Sequence, residues 1–308
     1  MKVLNSYEKV RNGLGQNLHN FWKNIRRDNM HYGIGDVHGC YDELILLLQK
    51  IERQDPDAKF IFVGDFIDRG PKVREVIQWA MKNITLDGKY QSVRGNHEQL
   101  MIEGNRDYLL WCEEKCNITP IINFFRTLPF SKAISVQTKY GKNLTYRFVH
   151  GWYDYEEPRD SQKQKECNLW ERNTCGMPEI DEVIVHGHTP TIFLEVLSIV
   201  CEGDVPGMIG YRPNAINIDG GCCYFSQGYG SPAMLCGICL ETLEEFYPYT
   251  IEERFVQSQR EVYKRLGKEN VSEDTIKKVA KSTAQQFEKK YLSRISKERE
   301  QILKKMGL

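Results

Sequence analysis

From Met30 onward the chain alternates short apolar runs with stretches whose apolar residues recur at helical spacing. The order is HYGIGDV, CYDELILLLQKIE, KFIFVGDF, PKVREVIQWAMKNI, YQSVRGN and HEQLMIEG. This predicts β-α-β-α-β-α, and hence an α/β domain with a parallel or mixed sheet flanked by helices. Residues 107 to 128 read as a further helical stretch. Later segments, SKAISVQTK, LTYRFVH, EVIVHGH, NAINIDGG, PAMLCGICL and LEEFYPY, are rich in β-formers and partly alternating, so the second half adds mostly strand. Residues 1–29 are polar with scattered apolar positions and read as an extension before the first strand, leaving 30–250 as the main domain. From residue 251 the apolar residues Ile276, Val279, Phe287, Tyr291, Ile295 and Ile302 recur at roughly helical spacing among many Lys and Glu, predicting an amphipathic helical tail over 251–308.

Composition narrows the classes of function. A chain of 308 residues with 41% hydrophobic and 27% charged side chains can bury a substantial core, which rules out disorder throughout. Its 42 basic and 42 acidic side chains cancel, so no global field draws it to nucleic acid or to membrane. The tail carries 15 Lys and Arg against 9 Asp and Glu. The interspersed acids argue against a nucleic-acid arm, leaving a solvated helix packed on the domain as the first expectation and a homo-oligomer or partner contact as the second. No run approaches the roughly 18 apolar residues of a membrane span, and the N-terminus lacks an apolar signal core, so a cytoplasmic protein is expected. In that setting the ten cysteines read as reduced thiols. Cys112 with Cys116, vicinal Cys222 and Cys223, and Cys236 with Cys239 do not complete a four-thiolate cage, and the last pair lies in the apolar run AMLCGICL.

The chemistry-bearing residues cluster at predicted strand ends. Gly35-Asp36-Val37-His38-Gly39 places a carboxylate and an imidazole two residues apart, able to face one metal ion. Gly64-Asp65-Phe66-Ile67-Asp68-Arg69-Gly70 follows, then Arg94-Gly95-Asn96-His97-Glu98, Val149-His150-Gly151 and His186-Gly187-His188-Thr189. Each sets Asp, Asn or His beside a glycine that lets the backbone turn. In open α/β sheets ligands bind at the carboxyl ends of strands, so these loops can converge.

In these motifs the chain resembles the metal-dependent phosphoprotein phosphatases among the calcineurin-like metallophosphoesterases, and looks most similar to their bacterial and phage branch. The resemblance runs from Gly35 to about Gly221 and implies a β-sandwich of mixed sheets flanked by helices, here with a helical C-terminal extension. It implies one ion on Asp36, His38 and Asp65 and a second on Asp65, Asn96, His150 and His188, with Asp65 bridging. Manganese is the expected ion, iron and zinc the alternatives, since all accept mixed oxygen and imidazole donors. Two divalent ions about 3.5–4 Å apart, less two carboxylates and a bridging hydroxide, leave a net positive charge for a phosphate, and the hydroxide forms because metal binding lowers the pKa of water to about 7.

By the same resemblance His97 is the general acid for the leaving alkoxide, and Asp68 holds its imidazole in the productive tautomer. Arg69, Arg94 and Arg172 are the candidate phosphate contacts, forked donors suited to phosphate oxygens. Two positions depart from the family pattern without removing a ligand: Gly151 stands where Ala often follows the ligand histidine, and Phe66-Ile67 replaces smaller aliphatic residues. His186 is expected to point away from the ions and serve a hydrogen-bonding role. His19 and His31 read as surface residues, and Trp152, Tyr153 and Tyr155 fit a substrate groove or ordinary loop packing equally well.

The leading expectation is a phosphomonoesterase acting on phosphoserine and phosphothreonine proteins. The alternative within the same chemistry is hydrolysis of dinucleoside polyphosphates such as diadenosine tetraphosphate, whose symmetrical hydrolases usually carry Ala where this chain has Asp68, a difference that favours the phosphatase. A nucleic-acid end-processing phosphoesterase and a non-catalytic metal-binding scaffold are the remaining readings. Retention of His97 and Asp68, which metal binding does not need, argues against the scaffold. Asn217-Ile218-Asp219-Gly220-Gly221 follows the bacterial pattern, so eukaryote-type regulatory subunits are not implied.

Overall fold

The computed structural model describes residues 29–104, 118–139, 141–172, 181–193, 205–227, 232–268, 270–292 and 299–304. Its first half follows the predicted alternation: β1 (His31–Ile34), α1 (Tyr41–Glu52), β2 (Lys59–Phe62), α2 (Val73–Asn83), β3 (Tyr90–Ser92) and α3 (Asn96–Ile102). The period-2 pattern of β2 divides its side chains between two cores. Phe60 and Phe62 pack with Leu44, Leu47, Ile51, Val76 and Ile77 of the helices, while Ile61 and Val63 face the second sheet.

The remaining elements are α4 (Thr119–Thr127), β4 (Ser131–Gln137), β5 (Asn143–Val149), α5 (Gln162–Trp170), β6 (Glu182–His186), β7 (Gly210–Arg212), β8 (Ala215–Asn217), β9 (Gly237–Cys239), β10 (Glu245–Phe246), α6 (Ile251–Arg265) and α7 (Glu273–Phe287). Two five-stranded sheets result, ordered β10-β9-β1-β2-β3 and β4-β5-β6-β8-β7. In the first, β1, β2 and β3 run parallel and β9 and β10 antiparallel; in the second, β5, β6 and β8 run parallel and β4 and β7 antiparallel. Tyr146, Phe148, Val183, Val185, Ile216 and Ile218 of the second sheet meet Ile61, Val63 and Ile238 of the first. The molecule is therefore a sandwich of two mixed sheets flanked by helices, as the family resemblance implies.

Two elements have no counterpart in the sequence reading, the polar helix α5, started by Ser161 capping the Gln164 amide at 3.0 Å, and the three-residue β7. Within 107–128 the helix described is α4; Cys112 and Cys116 lie outside the described residues.

The C-terminal helices dock on the sandwich. Thr250 and Glu253 form a reciprocal cap at the start of α6, with Thr250 N donating to Glu253 Oε2 at 2.7 Å. Phe255, Ala280, Ala284 and Phe287 bury one face against Val205. Arg254 is also fully buried. Its guanidinium donates to Glu43 Oε1 of α1 and to the Ala233 carbonyl, both at 2.6 Å, and lies 3.8 Å from the centre of the Phe225 ring. No helix among the described residues is long and apolar enough to cross a membrane.

Candidate metal centre

Every parallel strand ends at one place. The loop after β1 carries Asp36 and His38, that after β2 carries Asp65, Asp68 and Arg69, and α3 opens with Asn96 and His97. From the second sheet, His150 follows β5 directly and His188 lies just beyond β6. His38, Asp65, Asp68, Arg69 and His188 all have positive φ, between 42° and 70°. Non-glycine residues seldom adopt this region, and such strain persists only where surrounding bonds over-determine it. Here the bonds are visible: the Val37 and His38 amides both donate to the Asp65 carbonyl, at 3.1 and 2.8 Å, and the His97 amide donates to Asp65 Oδ1 at 3.1 Å. Gly64, with φ 95°, lets this loop touch the next, since a Cβ there would lie 2.4 Å from the Gly95 nitrogen.

Imidazole orientation follows from the outer bonds. His38 Nδ1 lies 2.7 Å from the Ile67 carbonyl and His150 Nδ1 2.9 Å from the Val63 carbonyl, so each donates an Nδ1 proton outward and turns Nε2 inward. Both Nε2 atoms lie 3.3 Å from Asp65 Oδ2. Asn96 Oδ1 sits 2.7 Å from His150 Nε2 and 3.1 Å from His188 Nδ1. Two overlapping groups of potential metal donors emerge, Asp36 with Asp65 and His150, and His38 with Asp65 and His97, sharing Asp65.

These residues fit divalent ions. Acceptor atoms converge with few protons to share among them, and Asp36 Oδ1, fully buried, has no hydrogen-bond partner. Gly187 leaves room for that atom, because a Cβ would lie 1.9 Å from it. Burial and the nearby Asp219 push the Asp36 carboxyl well above the usual carboxylate range. Against the same burial, His150, His97 and His38 hold Asp65 well below that range. Burial disfavours His150 cation, yet Asp65 and Asp36 raise its pKa to about 9. Burial, with His150 and Arg172 adding repulsion, lowers His188 to about 2, leaving it a neutral donor.

His97 and Asp68 meet, with Nδ1 2.5 Å from Asp68 Oδ2. The His97 Nε2 faces the site, 2.9 Å from Arg69 Nη2 and 3.8 Å from Asp65 Oδ2. Arg69 also places Nη1 2.5 Å from His38 Nε2, so its guanidinium spans the mouth of the centre. Arg172 is anchored on the ligand loop through the His188 carbonyl and Thr189 Oγ1. Arg94 turns elsewhere: it donates to Gln99 Oε1 and to the carbonyls of Arg126 and Leu128, and stacks on Phe130. These bonds tie α3 to the C-terminal end of α4, so the structure gives Arg94 a bracing position where the sequence suggested a phosphate contact.

His186 is buried, edge-on to Trp152, and burial lowers its pKa to about 4. Trp152 and Tyr153 are core residues, and Tyr155 donates to Glu182 at 2.7 Å. The described cysteines are all free, and Cys222 Sγ donates to the Asp36 carbonyl at 3.2 Å.

Two acids at the centre went unassigned in the sequence reading. Glu98, fully buried, accepts the amides of Asp65, Phe66 and Gly95 at 2.8–2.9 Å and so fixes the bridging loop to α3. Burial, then the Asp65 charge, raises it to about 7. Asp219, beyond β8, is buried near Asp36 and Arg69, and burial raises it to about 6. Its signal in the sequence was the one that marked the others, a carboxylate beside glycines at a strand end.

Residues 32–218 match the model of the calcineurin-like phosphoesterase family, and the chain belongs to that family of metal-dependent hydrolases. Over 72 residues it is 38% identical to a symmetrical bis(5'-nucleosyl)-tetraphosphatase of Neisseria gonorrhoeae, covering 23% of this chain and 25% of that one. It is 43% identical over 72 residues to an asymmetrical bis(5'-nucleosyl)-tetraphosphatase of Bacillus velezensis, covering 21% and 28%. The matched stretch thus spans about a quarter of these curated relatives. Among solved structures, one provisionally assigned as a diadenosine tetraphosphatase superposes with a TM-score of 0.50 at 19% identity, covering 74% of this chain and 96% of that one, a likeness of fold.

Proposed function

We propose that this chain hydrolyses bis(5'-nucleosyl) polyphosphates, adding water across a phosphoanhydride. Phosphoester hydrolysis as a class rests on the convergence of Asp36, His38, Asp65, Asn96, His150 and His188. The substrate class rests on the likeness to both symmetrical and asymmetrical nucleosyl tetraphosphatases, which favours the nucleotide over the phosphoprotein that the sequence placed first. Two divalent ions held by those six residues, manganese foremost, would supply Lewis acidity and a water acidified toward neutral pH. Arg69 binds phosphate oxygens at the mouth, with Arg172 beside it at the His188 loop. His97, held by Asp68, delivers the Nε2 proton to the leaving oxygen.

That last contact favours a second reading. A phosphate leaving group departs without much help, whereas an alkoxide such as serine needs a proton, and the 2.5 Å Asp68–His97 pair is built to supply one. The deciding experiment supplies manganese to metal-stripped protein and chromatographs its products from diadenosine tetraphosphate and from a phosphoserine peptide. Faster release of nucleotides supports the proposal, ADP alone marking a symmetrical cut and AMP with ATP an asymmetrical one. Faster release of phosphate from the peptide moves the assignment to phosphoproteins. Turnover of neither, with metal bound, sinks both.

A further inference from the structure

A cleft of about 410 Å³ opens beside the metal centre, between α3, α5 and the turn before β4. Its walls include Phe130, Trp170, Gln99, Gln162, Glu103 and Glu166. Two facts tie it to the site. Helix α3 carries Asn96 and His97 at the centre and Gln99, within the next turn, at the cleft, with Glu103 just past its end. Trp170 ends α5 with its ring 6.1 Å from that of His188. This indole is 42% exposed, a large apolar side chain left in water beside His188. An aromatic body left in water next to a reaction centre is a surface awaiting a planar partner.

The polar lining says what kind of partner. Glu103 and Glu166 repel phosphate, and among the described residues Lys165 is the one cation lining the cleft, its ammonium 5.8 Å from the Phe130 ring centre. The phosphate chain therefore belongs at the arginine-flanked metal centre, and the cleft suits a neutral group that stacks and hydrogen-bonds. Here Gln99 donates to Glu103 at 2.8 Å and Gln162 to Glu166 at 3.0 Å, and such exposed amide–carboxylate pairs can exchange these bonds for nucleobase edges, exocyclic amines or ribose hydroxyls. The volume lies within the range of small-ligand sites, about 300–1,000 Å³. We infer that this cleft is a nucleoside subsite, in which Trp170 stacks on the base at one end of a dinucleoside polyphosphate while the phosphates cross His188 to the metals. The inference deepens the nucleotide reading above and rests on it.

The test compares manganese-loaded wild type, Trp170→Ala and Trp170→Phe on diadenosine tetraphosphate, on a phosphoserine peptide and on p-nitrophenyl phosphate, the last with no nucleoside. AMP binding is measured separately by calorimetry. In Trp170→Ala the ratio of kcat/KM for the dinucleotide to that for the small ester should fall about tenfold or more, chiefly through KM, as loss of one base stack predicts. Trp170→Phe should restore most of it, and AMP affinity should fall in parallel. An unchanged ratio in an enzyme that cleaves the dinucleotide overturns the subsite and leaves the activity standing. Wild type that binds AMP through Trp170 but does not cleave the dinucleotide overturns the activity and leaves the subsite. A loss confined to phosphopeptide turnover assigns the cleft to peptide and overturns the inference.

Discussion

The two sheets contribute unequally to the centre. The first supplies both ligand carboxylates, Asp36 and Asp65, with His38 and Asn96, and also Asp68, Arg69 and His97, all in one stretch of chain from Asp36 to His97. The second supplies two imidazoles, His150 and His188, from loops far apart in sequence. The carboxylates and the Asp68–His97 pair thus sit on one sheet, and the other adds the two imidazoles that close the cage. On the reading proposed above, the first sheet holds the chemistry and the second holds it shut. Each half can be attacked separately.

The largest effect should come from the residue that serves both donor groups. Asp65→Asn keeps the shape and removes a charge that His38 and His150 both face at 3.3 Å. We expect kcat/KM to fall by about a thousandfold or more on every substrate, the loss of several kcal/mol of charge stabilisation. Elemental analysis should show less metal bound per chain. Retained metal with full turnover would show that the bridge is not where the geometry puts it.

Next in size is the proton-transfer pair, also on the first sheet. His97→Ala should cost ~10²- to 10⁴-fold on a phosphoserine peptide. On diadenosine tetraphosphate or p-nitrophenyl phosphate, whose leaving groups are acidic, the loss should be far smaller. Asp68→Asn should follow the same order with reduced amplitude, because the imidazole remains and only its orientation loosens. Equal losses on all three substrates would make His97 a ligand, as its grouping with His38 and Asp65 permits, and not an acid.

Much of this division was legible in the chain. Asp36, His38, Asp65, Asn96, His150 and His188 stand at strand ends beside glycines, which gathers them at the carboxyl edge of each sheet, and the family resemblance singled them out as one set. What stayed hidden has physical reasons. Helix α5, QKQKECNLW, lacks an amphipathic stripe, so periodicity could not announce it. Long guanidinium side chains reach in any direction, and spacing therefore could not distinguish Arg94, which braces α4, from Arg69 at the mouth. Arg254 looks like one more charge in a polar helix, yet its partner Glu43 lies in α1, over two hundred residues away. Such a pairing depends on the assembled fold. Positive φ at His38, Asp65 and His188 likewise has no residue signature, because strained backbone at a site follows from what surrounds it.

If ions join the two sheets, removing them should loosen the whole sandwich. A ligand held only by the folded state stabilises it by about 2.7 kcal/mol at a concentration one hundred times its Kd. Chelation should therefore lower Tm by several degrees, and manganese should restore it. In His188→Ala, which leaves the first sheet's donors intact, the restoration should be smaller. A Tm indifferent to chelation in protein shown to carry metal would mean that the second sheet contributes nothing to holding it.

The smallest effect concerns the second sheet far from the centre, and it asks whether that sheet acts only as a frame. Glu182 begins β6 and pairs with Arg147 of β5, Oε2 lying 2.6 Å from Nε, with Tyr155 donating to the same oxygen at 2.7 Å. Burial would raise the Glu182 pKa, but the Arg147 and Tyr155 bonds outweigh it and hold it below the usual value. A carboxylate depressed in the folded state stabilises fully above its unfolded pKa, near 4.5, and loses that contribution as pH falls through the folded value. Solvent screening keeps the pH-dependent part to about 0.5–1 kcal/mol. Urea unfolding of wild type and Glu182→Gln should therefore differ more at pH 7 than at pH 3.5. Turnover of the variant at pH 7 should match wild type, since the clamp lies at the end of β6 opposite His188. A marked loss of turnover would show that the second sheet transmits its register to the ligand loops and does more than frame them.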